Sequence, residues 1–516
     1  LLRKLLGESR VDRELVAAKA ICEYLGYLPL GVELAGRYLQ LDEDLRLGDY
    51  RQRLKISDES LDLQESEEIN ATRGVIAAFE LSWQELSAGT GKVAMLLGLF
   101  APADIAWGLV EEVAAKLGHK KDRSPIKALL KKVFSYFQQN QMSFNKQELE
   151  KAKKDLNNLY LIKAVDEDRS RFAVHSLTRQ FLQWKLAQEP DTNRLFRETF
   201  VMSLLDIAKQ MPQSPTRDLI ASVAPAIPHL DMLSRAMLDD IPNPEENYNL
   251  FWAFTGIARF YDGQGLYALA EDPYQRCLDT VKKILGDRHP DVATSLGNLA
   301  GLYESQGRYE AAEPLYLQAL SLRREILGDR HPDVATSLNN LALLYKSQGK
   351  YEAAEPLYQQ ALSLRREILG DRHPNVAQSL NNLAGLYESQ GRYDEAEPLY
   401  QQALSLYREL LGDRHPLVAG SLNNLALLYS SQGRYEAAEP LYLQALSLRQ
   451  ELLGDGHPSV ADSLLNLAAL YYNTQRYSEA LQSIQLAIQI YKQKLGTEHP
   501  TTQAALSWLQ LIQNAM

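Results

Sequence analysis

Six histidines that are each followed by proline recur through the second half of the chain, and histidine is a common metal ligand. They are spaced 42 residues apart, at His289, His331, His373, His415, His457 and His499. A zinc centre needs ligands that converge to about 2.1 Å from one ion, whereas equivalent positions of successive repeats lie one repeat apart. We therefore interpret each His-Pro as a turn, after which proline begins a helix without losing a helical hydrogen bond.

A second candidate for chemistry is the glycine-rich stretch SAGTGKV at residues 87–93, which is similar to a phosphate-binding loop. It lacks the first glycine at the required spacing, and Val93 stands where serine or threonine would bind magnesium. It also lies between predicted helices rather than after a strand, so we interpret it as a surface turn. Neither a Ser-His-Asp grouping nor metal-ligand spacing is found. The sequence thus favours a binding protein over an enzyme, and we expect no cofactor in this chain.

The elements that would position any site are repeated helical hairpins. The segment SLNNLALLYKSQGKYEAAEPLY at 337–358 recurs almost unchanged at 379–400 and 421–442. Apolar residues between Leu338 and Tyr345 follow the i, i+3, i+4, i+7 spacing of one helix face, and a second helix follows the break at Gly349. The pattern is typical of tetratricopeptide repeats, which are usually about 34 residues long. We place the extra residues at the end of the second helix, before Gly370. Pro356, inside this helix, predicts a late start or a bend.

An asparagine pair lies inside the first helix of the three central units. The second member occurs in five units, which predicts a structural role between adjoining repeats, at Asn298, Asn340, Asn382, Asn424 and Asn466. The first member occurs only as Asn339, Asn381 and Asn423, on the face turned away from the hairpin's own core. These three amides would form a ladder that hydrogen-bonds the backbone of an extended peptide. A solvated polar face is the alternative.

The remaining candidate positions lie on the same face, which in such arrays lines the concave groove. The predicted groove residues are Thr336, Asn339, Leu343, Lys346, Gln378, Asn381, Glu388, Asn423, Leu427 and Ser430. Two positions alternate between units, one as Gly301, Leu343, Gly385 and Leu427, the other as Glu304, Lys346, Glu388 and Ser430. Mixed charges and apolar pockets suit a peptide better than a nucleic acid. Duplication of a two-repeat block without a selected ligand would produce the same alternation.

Residues 290–498 resemble the 42-residue tetratricopeptide repeats of kinesin light chains, with HPDVATSLNNLALLYKSQGKYEAAEPLYQQALSLRREILGD as the unit. This resemblance implies recognition of short cargo peptides in the groove, partly through such asparagines. No long heptad region for pairing with a kinesin heavy chain precedes the repeats. The resemblance therefore covers the binding module rather than a motor function.

The first half of the chain resembles NB-ARC nucleotide-binding switch proteins, within the STAND class of signalling ATPases. Three stretches carry the resemblance, AKAICEYLGYLPLGVELAGRYLQ at 18–40, VIAAFELSWQELSAGTGKVAMLLGLFAPADIAWGLV at 75–110 and LNNLYLIKAVDEDRSRFAVHSLTRQFLQWKL at 156–186. The first contains a turn like G-L-P-L, the second is similar to the start of the winged-helix region, and the third places VHSLTRQF where the family has M-H-D. The resemblance implies that Pro29 packs on adenine and that His175 touches the phosphate of bound ADP.

Two departures from that family pattern affect this implied nucleotide site. Tyr27 changes the turn before Pro29, and Ser176 stands where the family has an acidic residue. Because no phosphate-binding loop is found, ADP or ATP would require an upstream nucleotide-binding domain. The opening LLRKLLGESR is typical of the middle of a helix, and we expect a fragment of a longer protein. The resemblance also implies self-association on activation.

Composition and charge limit the other function classes. The 516 residues carry a formal net charge of −11, which argues against nucleic acid as the main partner. The basic stretch at 115–134 is the basis for a DNA-binding alternative, but we interpret it as a solvated helix face. Two distant cysteines give no disulfide framework, which fits a reducing cytosol. The longest apolar stretch is cut by Pro102 and Asp104, so we expect a cytoplasmic protein without a membrane segment.

Together these observations predict a mainly α-helical protein, in which a winged-helix-containing helical half precedes an α-solenoid, a right-handed tetratricopeptide superhelix. The predicted segments are an ARC-like helical segment at 1–60, a winged-helix-like domain at 70–190, a helical linker at 191–247, six repeats at 248–498 and a capping helix at 499–516. The favoured function is a protein- or peptide-binding sensor within a STAND-type switch. A passive scaffold or adaptor resembling kinesin light chain is the alternative.

Overall fold

The computed structural model describes residues 1–60, 73–117, 144–212, 215, 217–244, 249–497 and 499–516. Over these residues the chain is mainly helical, as the sequence predicted, and it divides into two compact units. The first unit comprises Leu1–Asp206 and Pro225–Pro242, and the second comprises Ile207–Ala224 and Asn243–Met516. The segment predicted as a linker, 191–247, therefore contributes helices to both units. The basic stretch at 115–134 lies outside the described residues beyond Leu117.

The helices up to residue 236 are short to medium in length. They are α1 (Leu2–Leu6), α2 (Glu8–Arg13), α3 (Leu15–Tyr24), α4 (Pro29–Leu41), α5 (Leu47–Glu59), α6 (Arg73–Gln84), α7 (Ala88–Leu97), α8 (Trp107–Leu117), α9 (Lys146–Asn158), α10 (Ser176–Ala187), α11 (Pro190–Lys209), α12 (Arg217–Val223) and α13 (Ile227–Ala236). The stretch that looked like a phosphate-binding loop is part of α7, and Ser87 caps that helix by accepting a hydrogen bond from the backbone of Thr90. It is the start of a helix in which Gly91 and Val93 are buried, so the interpretation as a surface turn is wrong.

Three short antiparallel strands accompany these helices, β1 (Ile105–Ala106), β2 (Lys163–Ala164) and β3 (Arg171–Ala173), in the order β1-β3-β2. The turn between β2 and β3 is held by Asp166, whose carboxylate accepts hydrogen bonds from the backbone N–H groups of Ser170 at 2.8 Å and Arg171 at 3.0 Å. Hydrogen bonds from Ser170 and Arg171 lower the pKa of Asp166 well below its ordinary value. One carboxylate thus closes the turn between these two strands.

The second unit is dominated by six helix pairs and a final helix. The pairs are α14 (Asn249–Asp262) with α15 (Tyr267–Leu285), α16 (Pro290–Ser305) with α17 (Tyr309–Leu327), α18 (Pro332–Ser347) with α19 (Tyr351–Leu369), α20 (Pro374–Ser389) with α21 (Tyr393–Leu411), α22 (Pro416–Ser431) with α23 (Tyr435–Leu453), and α24 (Pro458–Asn473) with α25 (Tyr477–Lys494). We call them repeats 1 to 6. The last helix, α26 (Pro500–Ala515), contributes Ala505 and Ile512 to the core of repeat 6.

Each helix pair begins as the sequence predicts. In five repeats and in α26, a histidine immediately precedes the proline, and its Nδ1 accepts a hydrogen bond of 3.0–3.2 Å from the backbone N–H two residues on. The predicted role of these histidines in the turn is therefore confirmed, as helix caps. The second helix of repeat 3 runs for 19 residues to Leu369 and stops at Gly370. Of the late start or bend expected from Pro356, the late start is wrong, because the helix begins at Tyr351. The proline lacks the N–H that would pair with the carbonyl four residues earlier, which belongs to the first turn of the helix.

Small and aromatic residues alternate in the core between successive repeats. Ala342, Ala354 and Ala384 are fully buried, so the helices approach closely, and Tyr358 and Tyr400 fill the space beside them. Because each hairpin also packs apolar side chains against its neighbours, stability is shared along the stack.

Repeats that are distant in sequence also touch within the second unit. The Nε2 atom of His457, at the start of repeat 6, lies 2.9 Å from the carbonyl oxygen of Gly263 in repeat 1, and His499 contacts Ser305 in the same way at 3.0 Å. Gly265 has φ +69°, and a Cβ there would lie 2.4 Å from the ring of Pro458. Only glycine combines that backbone angle with such close contact. The stack thus closes on itself across 194 residues of sequence.

The closing contact gives the array a predicted pH dependence. Nδ1 of His457 accepts the capping hydrogen bond, so Nε2 carries the proton and donates it to Gly263. Burial, with Arg449 and Lys494 nearby, lowers the pKa of His457 to about 4. Asp455 and His457 both line a cavity of about 370 Å³ beside Gly263. The His457 imidazole is therefore neutral in the folded chain near pH 6.5, whereas the pKa of histidine in the unfolded chain is about 6.5. As pH falls from 6.5 towards 4, the unfolded chain alone binds a proton, which should reduce stability by about 1–2 kcal/mol.

A matched variant isolates this effect from the other titrating groups. His457→Asn keeps a side chain that caps helices but does not titrate. We expect the melting temperature of the natural chain, measured by circular dichroism, to fall further than that of the variant between pH 7 and pH 4.5. Parallel pH profiles for the two proteins would show that His457 does not couple closure to protonation.

Candidate functional site

An open cavity of about 370 Å³ lies on the first helices of repeats 3, 4 and 5. Helix α18 contributes Leu343 and Lys346 to its wall. The other lining residues are Asn381, Asn382, Gly385, Glu388 and Ser389 of α20, Asn424, Leu427 and Ser431 of α22, and the tyrosines Tyr358 and Tyr400 of the second helices. Three successive repeats therefore present apolar, amide and charged side chains to one space.

The charged side chains that line the cavity are Lys346 and Glu388. Burial lowers the pKa of Lys346, and nearby Glu388 opposes that shift. Burial raises the pKa of Glu388, while the hydroxyl of Tyr400, which donates a 2.7 Å hydrogen bond to its Oε2, acts the other way. Gly385 permits this arrangement, because a Cβ there would lie 2.7 Å from the Lys346 ammonium and 3.0 Å from the Tyr400 hydroxyl. The glycine leaves room for both polar groups against one helix.

Tyrosines at equivalent positions have different surroundings in neighbouring repeats. In repeat 2 the Tyr316 hydroxyl donates a 2.9 Å hydrogen bond to Glu304, as Tyr400 does to Glu388 in repeat 4. Burial raises the pKa of Glu304 to about 7. Repeat 3 has Lys346 where these glutamates stand, and the hydroxyl of the fully buried Tyr358 has no hydrogen-bond partner among the described residues. The alternation noticed in the sequence thus changes the hydrogen bonding inside the cavity wall.

The structure differs from the prediction that the first asparagine of each pair contacts ligand and the second joins repeats. Asn339 is only 1% exposed, and its Oδ1 accepts a 3.1 Å hydrogen bond from Asn382 of the next repeat. Asn423 is 5% exposed and accepts hydrogen bonds from Asn466 and Ser463. These first asparagines join adjacent repeats and do not form an open ladder.

The structural role predicted for the second asparagines is confirmed for Asn382 and Asn466, which donate the hydrogen bonds to Asn339 and Asn423 of the preceding repeats. Two of the second asparagines, Asn382 and Asn424, also line the cavity. Asn381 does so as well, although its Oδ1 also accepts a hydrogen bond from Ser421. The reason is geometric. The face that a helix turns away from its own hairpin is shared between the open groove and the joint with the next repeat.

The other predicted groove residues divide in the same way. Leu343, Lys346, Glu388 and Leu427 line the cavity, as expected for such positions. Thr336 and Gln378 instead face Arg365, which is 2% exposed and donates to the Thr336 Oγ1 and the Gln378 Oε1.

Ser430 is not among the cavity residues, whereas the next residue, Ser431, is. Tyr358 and Tyr400 were missed by sequence reasoning, whereas Gly385 was recognised as a position on the groove face. The signal for Gly385 was its alternation with leucine between units.

The two residues implied to contact nucleotide lie in the first unit. Pro29 is exposed and occupies the first position of α4. His175 is exposed and caps α10, where its Nδ1 accepts a 3.2 Å hydrogen bond from the backbone of Leu177. The capping hydrogen bond gives His175 a structural role at the start of α10. A contact between His175 and a nucleotide remains a prediction.

Two other kinds of site are absent from the described residues. In the parts of the chain that the structure describes, no group of three or more His, Cys, Asp and Glu side chains is placed to hold a metal ion. Among the same residues, no helix has the length and apolar character needed to cross a bilayer.

Comparison with known proteins identifies the repeats. Residues 249–325, 302–367, 333–409, 375–451 and 417–493 match the family model of the tetratricopeptide repeat. No curated protein matches the chain. Among solved structures, BtubC (BKLC) from P. vanneervenii is similar at 26% identity, covering 45% of this chain and 90% of that chain, with a TM-score of 0.35.

Two further solved structures have similarly low TM-scores. A candidate kinesin light chain from Podosopora anserina with nearly identical TPR-like repeats has 25% identity, coverage of 41% and 98%, and a TM-score of 0.32. A STAND protein with a tetratricopeptide repeat sensor from Pyrococcus horikoshii has 16% identity, coverage of 93% and 69%, and a TM-score of 0.41. Since all three scores are low, the assignment depends on the family match and the observed helix pairs. Residues 249 to 493 form a tandem tetratricopeptide array, stacked as an α-solenoid.

Proposed function

We propose that the array is a protein- or peptide-binding module, and that it holds an extended peptide against the first helices of repeats 3 to 5. The observation that carries this proposal is the open cavity of about 370 Å³ to which three successive repeats contribute. Ligand sites of this kind combine apolar walls with a few convergent polar groups. Here Leu343 and Leu427 supply the apolar wall, and Asn381, Asn382 and Asn424 supply amides.

Two exposed leucines of repeat 5 provide a matched test of this proposal. Leu427 is 38% exposed and lines the cavity, whereas Leu443 is 46% exposed and lies on the second helix, outside the cavity lining. Dodecapeptides selected from a random phage-displayed library against the whole chain should bind Leu427→Glu at least tenfold more weakly, because the new carboxylate would replace apolar contact. Leu443→Glu should bind them as the natural chain does. Fluorescence anisotropy of the labelled peptides measures both affinities.

Two results would contradict the proposed binding surface. Equal losses in both leucine variants would place the peptide outside the cavity. Failure of any dodecapeptide to enrich over repeated rounds would argue against a peptide ligand altogether.

We further propose that the array is the sensor of a STAND-type nucleotide switch. Support comes from the three NB-ARC-like stretches in the first half, from the small antiparallel sheet that accompanies helices there, and from the exposure of Pro29 and His175. Exposed residues are available to contact a nucleotide held by another domain. In this proposal a ligand in the array changes the nucleotide state of that domain, and the active form self-associates in the cytoplasm.

The gene sequence upstream of the codon for Leu1 tests the switch proposal. A strand, a Gly-x4-Gly-Lys-Ser/Thr loop and a helix encoded there would support it, and ADP binding by that longer protein should then weaken in a His175→Ala variant. A start codon immediately before Leu1 would overturn it. The second candidate function, an adaptor similar to kinesin light chain, would then be preferred, because the 42-residue unit with its long second helix resembles that family.

A further inference from the structure

The cavity contains polar groups whose hydrogen-bonding capacity the protein itself does not use. Within the described residues, the Lys346 ammonium makes neither a hydrogen bond nor an ion pair with another side chain, and the Tyr358 hydroxyl is buried without a partner. Both groups are donors. A glutamate at position 346 would accept from Tyr358, as Glu304 does from Tyr316. Because position 346 is lysine, repeat 3 lacks the tyrosine–glutamate hydrogen bond that repeats 2 and 4 make.

Glu388 supplies an acceptor across the same cavity. Its carboxylate accepts a 2.7 Å hydrogen bond from the Tyr400 hydroxyl and a further hydrogen bond from the Ser431 side chain. Two carboxylate oxygens offer about four lone pairs, so further acceptor capacity remains. Lys346 and Glu388 line the same cavity without forming an ion pair with one another in the described structure, so a donor and an acceptor face one space.

The charges of the groove decide which ligand group fits there. A ligand carboxylate would suit Lys346 but would meet the Glu388 carboxylate in a partly desolvated space, and a ligand ammonium would meet Lys346. A carboxamide avoids both conflicts, since it is neutral and carries an acceptor oxygen beside a donor amino group. Leu343 and Leu427 on the same wall would contact the methylene groups that carry it.

We propose that the cavity between Lys346 and Glu388 recognises the carboxamide of a glutamine or asparagine side chain in the bound peptide. Lys346 donates a hydrogen bond to the amide oxygen, and Glu388 accepts one from the amide nitrogen. This assignment rests on the proposed peptide-binding function and specifies one residue of the ligand.

The test uses the whole chain and dodecapeptides from the same random phage-displayed library. Selected peptides should share glutamine or asparagine at one position. Synthetic versions with glutamate or methionine at that position should bind at least tenfold more weakly by fluorescence anisotropy, because glutamate meets Glu388 and methionine offers neither hydrogen bond.

Two variants separate recognition from folding. Glu388→Gln removes the negative charge, so the glutamate peptide should gain affinity towards that of its glutamine counterpart. Lys346→Met should reduce the preference for the amide while melting no lower than the natural chain, because the ammonium that it removes makes no hydrogen bond or ion pair within the described residues. The unchanged melting temperature excludes misfolding as the reason for lost recognition.

The possible failures are distinguishable. Selected peptides without a common amide residue, or an unchanged amide preference in both variants, would overturn the carboxamide assignment and leave peptide binding intact. Absence of any selected peptide would overturn both proposals.

Discussion

Replacement of Tyr400 by alanine is expected to lower the free energy of unfolding by about 3–5 kcal/mol. The ring is 2% exposed and packs in the core that joins repeats 3 to 5. Its removal leaves a cavity between helices and takes away the hydroxyl that donates to Glu388 at 2.7 Å. Because neighbouring repeats stabilise one another through such interfaces, the loss should extend beyond repeat 4. Urea unfolding followed by circular dichroism measures it.

Two control variants divide this effect into its parts. Tyr400→Phe keeps the ring and removes the hydrogen bond, so it should cost about 1 kcal/mol. Leu443→Ala, at a side chain that is 46% exposed, should change stability by less than about 0.5 kcal/mol. If Tyr400→Ala unfolds at the same urea concentration as the natural chain, Tyr400 does not hold the central repeats together.

The asparagines give the second large effect. Replacing Asn339 or Asn423 by alanine should lower the free energy of unfolding by about 1–3 kcal/mol each. Each oxygen accepts from an amide of the next repeat, at 3.1 Å from Asn382 and 3.3 Å from Asn466, and each substitution leaves that partly buried amide unpartnered. Hydrogen exchange at the joints between repeats 3 and 4, and between repeats 5 and 6, should become faster.

Asn424 is the matched control for these substitutions. It is half-buried and lines the cavity, so Asn424→Ala should affect peptide binding more than melting. Equal melting losses for Asn339→Ala and Asn424→Ala would show that the inter-repeat hydrogen bonds carry no special stability. The expectation reverses the one that the sequence alone suggested, in which the first asparagines bind ligand and the second are structural.

Local features of the repeats could be predicted from the sequence because they depend on short-range geometry. Helix starts at His-Pro, the end of the second helix at Gly370 and the apolar face from Leu338 to Tyr345 all follow from contacts between residues at most a few positions apart. For the same reason the strand pair around Asp166 was predictable, since one carboxylate closes that turn. The face of the first helix that the sequence indicated as the groove also contains Leu343 and Lys346, which line the cavity.

The tertiary structure alone decided which polar groups face the groove and which join repeats. Asn339 and Asn382 are 43 positions apart in sequence and come together only when their helices pack at a definite angle. The periodicity of one helix does not determine that angle. The unpartnered Tyr358 hydroxyl likewise depends on its position beside Lys346 rather than a glutamate. Contact between His457 and Gly263 across 194 residues depends on the accumulated rotation of every repeat between them. Sequence spacing determines the individual hairpin, whereas the rotation between hairpins comes from side-chain packing in three dimensions.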